Sequence, residues 1–386
     1  MTGRIGKYIT QTVSGEPFKA HVPPELPVDP PIVMEKIYPF LEKATLAIAE
    51  LSGLTKAIPN KSLFLYMYVR KEALLSSQIE GTQSSFSDLM LFEQHLQPEI
   101  NLDDVNEVSN YVKALHHGLE RIEGGFPLSL RLLKEVHQVL LSGGRGMTKQ
   151  PGEFRRSQNW IGGTRPGNAL YVPPPVNMLD DCLANLEQFL HDNSLPTIIK
   201  AGIAHVQFES IHPFLDGNGR LGRLLIILLF CVDGILDEPI LYISLFLKQN
   251  RRVYYNLLTQ VREHGAWEVW LEFFLNGLFD TAKQAILAIQ EINGLFHDHL
   301  AIIDTMGRSR ITCAKVFEYL QMLPQVTVSG VASALSVSLP TARDALNNMV
   351  EVGILEEISG KVRNKVYVYR QYLDILEEGT EPFQRR

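Results

Sequence analysis

The stretch His212-Pro213-Phe214-Leu215-Asp216-Gly217-Asn218-Gly219-Arg220-Leu221-Gly222-Arg223 constrains this chain more than any other. Before it, residues 196–211 carry apolar side chains at 198, 199, 203, 206 and 211, a helical spacing. Pro213 disfavours helical geometry at His212, so that helix is expected to end there. After it, Leu224–Val232 is an apolar block that reads as a second, buried helix. The Gly217-Asn218-Gly219 turn then sits at a helix N-terminus, where free N–H groups and the helix dipole favour an anion. Arg220 and Arg223, in the first helical turn, add charge that can grip phosphate oxygens.

The dodecamer resembles the signature of the Fic family, H-P-F-x-[DE]-G-N-G-R-x-x-R, and every fixed position matches. The resemblance implies a mainly α fold: a helical core with a β-hairpin flap, preceded by an N-terminal helical region. It also implies AMP transfer from ATP to a Ser, Thr or Tyr hydroxyl of a target protein. For that chemistry the transferring phosphate must be held, the nucleophile deprotonated and a metal placed. His212, with an ordinary pKa near ~6.5, is the candidate base. Asp216, the only acid in the signature, is the candidate Mg²⁺ ligand. Gly217, Asn218 and Gly219 would aim N–H groups at phosphate oxygens, and Arg220 and Arg223 would hold the outer phosphates. The run Asp216–Arg223, with Leu221 and Gly222 inside it, is thus the expected ATP site. Ile161, Gly162, Gly163 and Thr164 of the flap and the pair Tyr254-Tyr255 are expected to join it. Adjacent helical residues cannot both face one ligand, so one tyrosine of the pair is free to be core.

Ser76-Ser77-Gln78-Ile79-Glu80-Gly81 ends a predicted helix, with Gly81 as its cap. It resembles the Fic inhibitory motif, [ST]-x-x-x-E-[GN], in the class whose inhibitory helix precedes the core. The resemblance implies that Glu80 pairs with Arg223 and keeps it from the γ-phosphate, with Ser76 orienting the helix. It further implies a homodimer that controls release of Glu80, and in some relatives removal of AMP by the same glutamate.

Along the chain, residues 1–31 read as an extended arm ending in Pro23-Pro24, Pro27 and Pro30-Pro31. Residues 32–122 read as helices over Ile37–Leu54, Ser62–Gln78, Ser84–Gln97 and Asp103–Ile122. The expected core, 123–300, opens with a helix over Leu128–Leu141. Pro151-Gly152-Glu153-Phe154-Arg155 follows. Two apolar runs around Arg165-Pro166-Gly167-Asn168 then give a hairpin signal over 159–172. By its place this hairpin resembles the Fic flap, where a target segment would dock by strand addition. Helices are expected over Met178–Asn193, Leu241–Lys248, Asn250–Gly265 and Trp267–Gln290.

Residues 308–372 resemble a winged helix: helices over Ile311–Leu323, Val328–Leu335 and Leu339–Val350, the last capped by Ser338, then strands over Ile354–Ile358 and Val366–Tyr369. This segment holds eight Lys/Arg and five Asp/Glu, against −7 for the chain. Thr341, Arg343, Asn347 and Asn348 could reach bases and Lys361, Arg363 and Lys365 phosphates, so DNA is one expected partner and protein contact the other. Residues 373–386 read as a tail.

A net charge of −7 argues against a general nucleic-acid coat or a membrane-surface binder. Cys182, Cys231 and Cys313 form no metal spacing and suggest a reducing compartment. With no signal-peptide pattern at 1–11 and no apolar run long enough to span a bilayer, the expectation is a cytoplasmic protein. A phosphorylating branch of the Fic family has a lysine where this chain has Gly219, and others transfer different nucleotides or phosphocholine. The competing class is a DNA-binding regulator that senses nucleotide without catalysis, which would need neither His212 nor Asp216.

Overall fold

The computed structural model describes residues 2–13, 15–56, 61–93, 102–359 and 365–383, with the backbone alone at 2, 61–64 and 145. At its centre lie two helices, Thr197–Ile211 and Asn218–Val232. Residues 198–211 are all buried, as are 220–230, so these helices are enclosed on every side rather than amphipathic. Tyr38–Lys56, Lys61–Ile79, Leu102–Glu123, Leu130–Leu140 and Leu179–Leu190 pack around them. Gly202 marks the closest approach: a Cβ there would lie 2.9 Å from Leu271 and Phe274, and its carbonyl accepts the Trp270 indole N–H at 2.8 Å.

The expected helix Trp267–Gln290 continues to Asp304, 38 residues in all and ~57 Å long. Its buried stripe runs on through Ile292, Phe296, His299 and Ile303. Phe296 meets the edges of Phe317 and Tyr372, and His299 Nδ1 lies 2.6 Å from the Tyr369 hydroxyl. This one helix carries the core into the C-terminal unit. Among the described residues, no helix is long and apolar enough to cross a membrane.

Residues 1–31 are not simply an extended arm. Lys7–Val13 and Glu16–Val22 form an antiparallel hairpin with Lys7 opposite Val22, turned at Gly15 (φ +83°). Ile9, Thr10, Thr12 and Val13 supply the β-branched residues that favour strands. Phe18 and Ala20 bury themselves against Val172 of the flap, and His21 N–H donates to Val172 O at 2.8 Å. Residues 23–31 then run without regular structure, as their prolines dictate.

The flap hairpin expected over 159–172 narrows to one bridge, Ile161 with Tyr171, because Pro166–Asn168 coils into a 3₁₀ turn and Pro173–Pro175 have no N–H to continue a ladder. The expected Leu241–Lys248 helix spans only Ser244–Gln249, and the expected Ser84–Gln97 helix starts only at Phe86 and is described to Glu93, with 94–97 lying outside the described residues.

In the C-terminal unit, helices Arg310–Met322, Val328–Leu335 and Leu339–Glu351 stand beside a three-stranded sheet. Val366–Val368 is its central strand, with Gln325–Thr327 and Glu356–Glu357 on either side. The Ser338 hydroxyl accepts from Thr341 N–H, capping the third helix. Two residues expected to reach bases are occupied: Thr341 Oγ1 lies 2.7 Å from Ser338 Oγ, and Asn347 Oδ1 accepts from the Tyr367 hydroxyl at 3.0 Å. Lys361 and Arg363 lie outside the described residues. The expected tail contains a further helix, Arg370–Glu377, whose Tyr372, Leu373 and Leu376 are buried.

Candidate functional site

The helix Thr197–Ile211 ends where His212 turns into the left-handed region (φ +48°, ψ +61°). That conformation is costly for a side chain with a Cβ. Four donors stabilise the turn. The Arg155 guanidinium donates to His212 O at 3.0 Å and to Pro174 O at 2.6 Å, and Arg155 N–H donates to Pro213 O at 2.9 Å. The Asn159 amide donates to Phe214 O at 2.9 Å, with His212 O at 3.3 Å. The His212 imidazole thus stands on a backbone clamped from the flap side. Its Nδ1 is buried and has no hydrogen-bond partner among the described residues. Burial, then the Arg262 and Arg155 charges, push its pKa down to about 3, so the ring is a free base at neutral pH.

The loop below is closed by its own residues. Asn218 Oδ1 accepts Phe214 N–H and its amide donates to Phe214 O, both at 2.9 Å. Its side chain is therefore spent on shaping the turn. His137 stacks on Phe214 with ring centres 3.7 Å apart. It takes Gly152 N–H on Nδ1 at 2.9 Å, so Nε2–H donates to Asp216 O, also at 2.9 Å. Gly217 sits at φ +76° and Asp216 Oδ1 accepts its N–H at 2.6 Å. The next N–H groups open the helix Asn218–Val232 and form the expected anion cradle.

Arg220 and Arg223 are both buried, but they are held differently. Arg220 donates to Glu107 at 3.2 Å and lies 3.9 Å from Asp216, so it braces the loop. Arg223 Nε donates to Ser76 Oγ at 2.9 Å, and Nη2 to Ser76 O and to Glu80 Oε1, each at 2.8 Å. Arg223 Nη1 is buried without a partner among the described residues. It points toward Gly219, where a Cβ would lie 3.2 Å from it and only 2.2 Å from Glu80 Oε1. A side chain at 219 would displace that carboxylate.

Glu80 reaches this place because the helix Lys61–Ile79 ends just before it and Gly81, at φ +103°, turns the chain away. Glu72, Ser76 and Glu80 lie four residues apart, on one face. Burial raises the Glu80 pKa, but the Arg223 charge and hydrogen bond, with the Arg220 charge, outweigh it and hold the carboxyl below its ordinary value. Burial also raises Glu72 to about 7, against its bonds from Ser244 and Tyr111.

Several expected residues lie elsewhere. Leu221 is in the core, and Gly222 packs on His205, Phe208 and Glu209, so neither faces the cradle. Their place in the run is helical periodicity, not contact. Gly162 folds against Leu170 and Gly163 against Asn168, while Thr164 N–H donates to Asn168 Oδ1 at 2.9 Å; these contacts stay within the flap turn. Of the tyrosine pair, Tyr254 is buried with its hydroxyl 2.9 Å from His205 Nε2, and Tyr255 is 38% exposed beside the Arg251 guanidinium. Sequence reasoning missed the clamping roles of Arg155, Asn159 and His137. Arg155, in the stretch Pro151-Gly152-Glu153-Phe154-Arg155 just before the flap, was a signal within reach.

These burials set a pH dependence for stability. His21, His137 and His205 are pushed by burial down to about 4, with His212 lower still. Their stabilising effect is full above the unfolded value near ~6.5 and is lost as pH falls through it. Burial raises Glu72 and Glu209 to about 7, and their effect has the opposite sign, lost as pH rises through that value. Between pH ~4.5 and ~6.5 the unfolded chain gains the histidine protons while the native chain already holds the carboxyl ones. The histidines outnumber the carboxyls, so the net effect of these groups is a loss of stability on acidification. Urea unfolding followed by tryptophan fluorescence at pH 6.5 and 5.5 measures it; equal midpoints would contradict these assignments.

Residues 38–120 match the family model described as Fic/DOC family N-terminal, and residues 127–230 match the one described as Fic/DOC family. A protein adenylyltransferase Fic of Drosophila virilis is 31% identical over 206 residues, which is 50% of this chain and 39% of that protein. Its counterpart in Drosophila yakuba is 28% identical over 57% of this chain and 41% of its own length. The chain thus spans about two-fifths of these curated relatives. Among solved structures, a Fic family protein from Desulfovibrio desulfuricans G20 superposes with a TM-score of 0.58 at 20% identity, over 88% of this chain and 97% of that one.

Proposed function

We propose that this chain, whose residues 38–120 and 127–230 match Fic/DOC family models, transfers AMP from ATP to a Ser, Thr or Tyr hydroxyl of a target protein and is restrained by its own Glu80. One observation carries this reading. Arg223, fully buried, ends in an Nη1 beside the cradle with no partner among the described residues, while Glu80 occupies its Nη2. A buried cation with an open donor facing a glycine-lined helix N-terminus is a phosphate site. A carboxylate on its neighbouring nitrogen is a competitor for the same phosphate.

His212 takes the proton of the attacking hydroxyl. Burial, with the Arg262 and Arg155 charges, depresses its pKa. Triphosphate oxygens bring opposing charge and raise it toward the working pH. The donor set fits a magnesium ion that arrives with the nucleotide. Asp216 spends Oδ1 on Gly217 N–H and keeps its other oxygen, and Mg²⁺ commonly takes one or two carboxylates plus phosphate oxygens and water. Among the described residues, no group of three or more His, Cys, Asp or Glu could hold a metal without such help. Bound there, the ion would neutralise charge on the phosphates. The target segment docks on the flap over 159–172, and the 308–372 unit, read as a winged helix, binds a second partner, DNA or protein.

Labelled ATP tests the reaction. With the Glu80→Gly protein, Mg²⁺ and host lysate, label should enter protein from the α-phosphate and not from the γ-phosphate. Entry from the γ-phosphate would mean phosphorylation, and release of AMP from labelled protein would mean removal. In the same background, Arg223→Ala should raise the KM for ATP by ~10- to 100-fold, the loss of one or two charge-assisted bonds. An unchanged KM would remove Arg223 from the phosphate site.

A further inference from the structure

The end of the helix before Glu80 is held by a segment 302 residues away in sequence, from Gln78 to Thr380. After the helix Arg370–Glu377 the chain turns at Gly379 (φ +76°), where a Cβ would lie 2.6 Å from Leu245. Thr380, 4% exposed, follows. The Gln78 side-chain amide donates to Thr380 O at 2.7 Å and to Ser84 O at 2.9 Å, so it joins both sides of the Glu80 turn to this segment. Lys248 Nζ donates to Gly379 O at 3.1 Å and Glu381 O at 2.6 Å. The Phe383 ring lies 5.5 Å from the Lys248 ammonium and 5.7 Å from the Arg251 guanidinium. Arg251 Nε in turn donates to Ile79 O at 3.2 Å. Gln78 and Ile79, the two residues before Glu80, are therefore both fastened through this cluster. At its other end, Ser87 Oγ donates to Glu377 at 2.9 Å, and Tyr369 and Tyr372 pack on Phe296.

We propose that Glu377–Phe383 is a strap that positions the Glu80 turn, so that Glu80 stays on Arg223 only while the strap is seated. The proposal rests on the reading of Glu80 as the restraint. The strap continues directly from the C-terminal unit, whose Tyr369 N–H donates to Pro324 O at 2.7 Å. A partner that draws that unit away from the core lifts the strap, loosens the Gln78–Ile79 fastening and frees Arg223. Buried bonds to backbone carbonyls suit a strap: they read position rather than sequence, and they break together when the segment leaves.

Hydrogen exchange on the full chain tests this without relying on activity. The variants are Phe383→Ala, which removes a half-exposed ring, and Lys248→Met/Phe383→Ala. The strap amide of Thr380, which donates to Glu377 O, and the turn amides at 80–82, which donate to Ser77 O and Gln78 O in the native chain, should both exchange at least ~10-fold faster in the double variant. The helix Thr197–Ile211 should keep its protection, which reports an intact fold. AMP transfer should rise ~5-fold or more, and should not rise further in the Glu80→Gly background. A released strap with unchanged protection at 80–82 overturns the proposal, as does a strap that stays protected in the double variant. Faster exchange at both places with no transfer in any protein, Glu80→Gly included, sinks the transfer reading and leaves the strap standing.

Discussion

Replacing His212 by alanine is expected to cut AMP transfer by ~10²–10⁴-fold, the usual contribution of a positioned general base, with ATP affinity little changed. The cradle does not use the imidazole. Its N–H groups come from Asn218 and Gly219, at the start of the helix, and its cation from Arg223, and Phe214, Asn218 and His137 hold the loop. The backbone at 212 complicates the alanine variant, because φ +48° is costly for any residue with a Cβ. His212→Asn separates the effects: asparagine tolerates the left-handed region but cannot take up a hydroxyl proton at neutral pH. Both variants should bind ATP in calorimetry and fail in transfer. Transfer retained by either would show that another group takes the proton.

Glu80→Gly is expected to raise transfer by ~10- to 100-fold, the span of a coupling of ~1–3 kcal/mol. Glu80 and Arg223 meet at 2.8 Å, with the guanidinium 1% and the carboxylate 36% exposed. The asymmetry matters. Arg223, once uncovered, is a buried charge still held, among the described residues, by Ser76, and it gains most from a phosphate that satisfies Nη1 and Nη2 together. The partly exposed glutamate gives up a screened interaction and returns to water at lower cost. Glycine suits the site, since the chain reverses at Gly81 and the helix has already ended at Ile79. Initial rates of label transfer at saturating ATP check the effect, and equal rates with and without Glu80 would refute the restraint.

What the sequence reveals about this molecule follows from distance along the chain. The loop 212–223 was legible because its shape is made by its own residues: Pro213 ends one helix, Gly217 turns the chain and Asn218 closes the loop on Phe214. The facing of Ser76 and Glu80 was legible because four residues make one helical turn. Arg155 and Asn159 were not, because they donate to the carbonyls of 174 and 212–214, and a carbonyl leaves no trace in side-chain identity. The hairpin at 7–22 was hidden by the prolines after it, although β-branched residues and Gly15 were there to be read. The long helix was cut short at Gln290, and the tail missed, for a shared reason. The buried faces of 291–304 and 370–377 meet each other, and neither looks committed to a core alone.

The most direct test uses ATP labelled at the α-phosphate with wild type, Glu80→Gly and Glu80→Gly/His212→Ala side by side, each with Mg²⁺ and host lysate. The account predicts strong labelling of protein by Glu80→Gly alone, weak labelling by wild type and none by the double variant. Equal labelling by Glu80→Gly and the double variant, or no labelling by Glu80→Gly while it binds ATP, would contradict it.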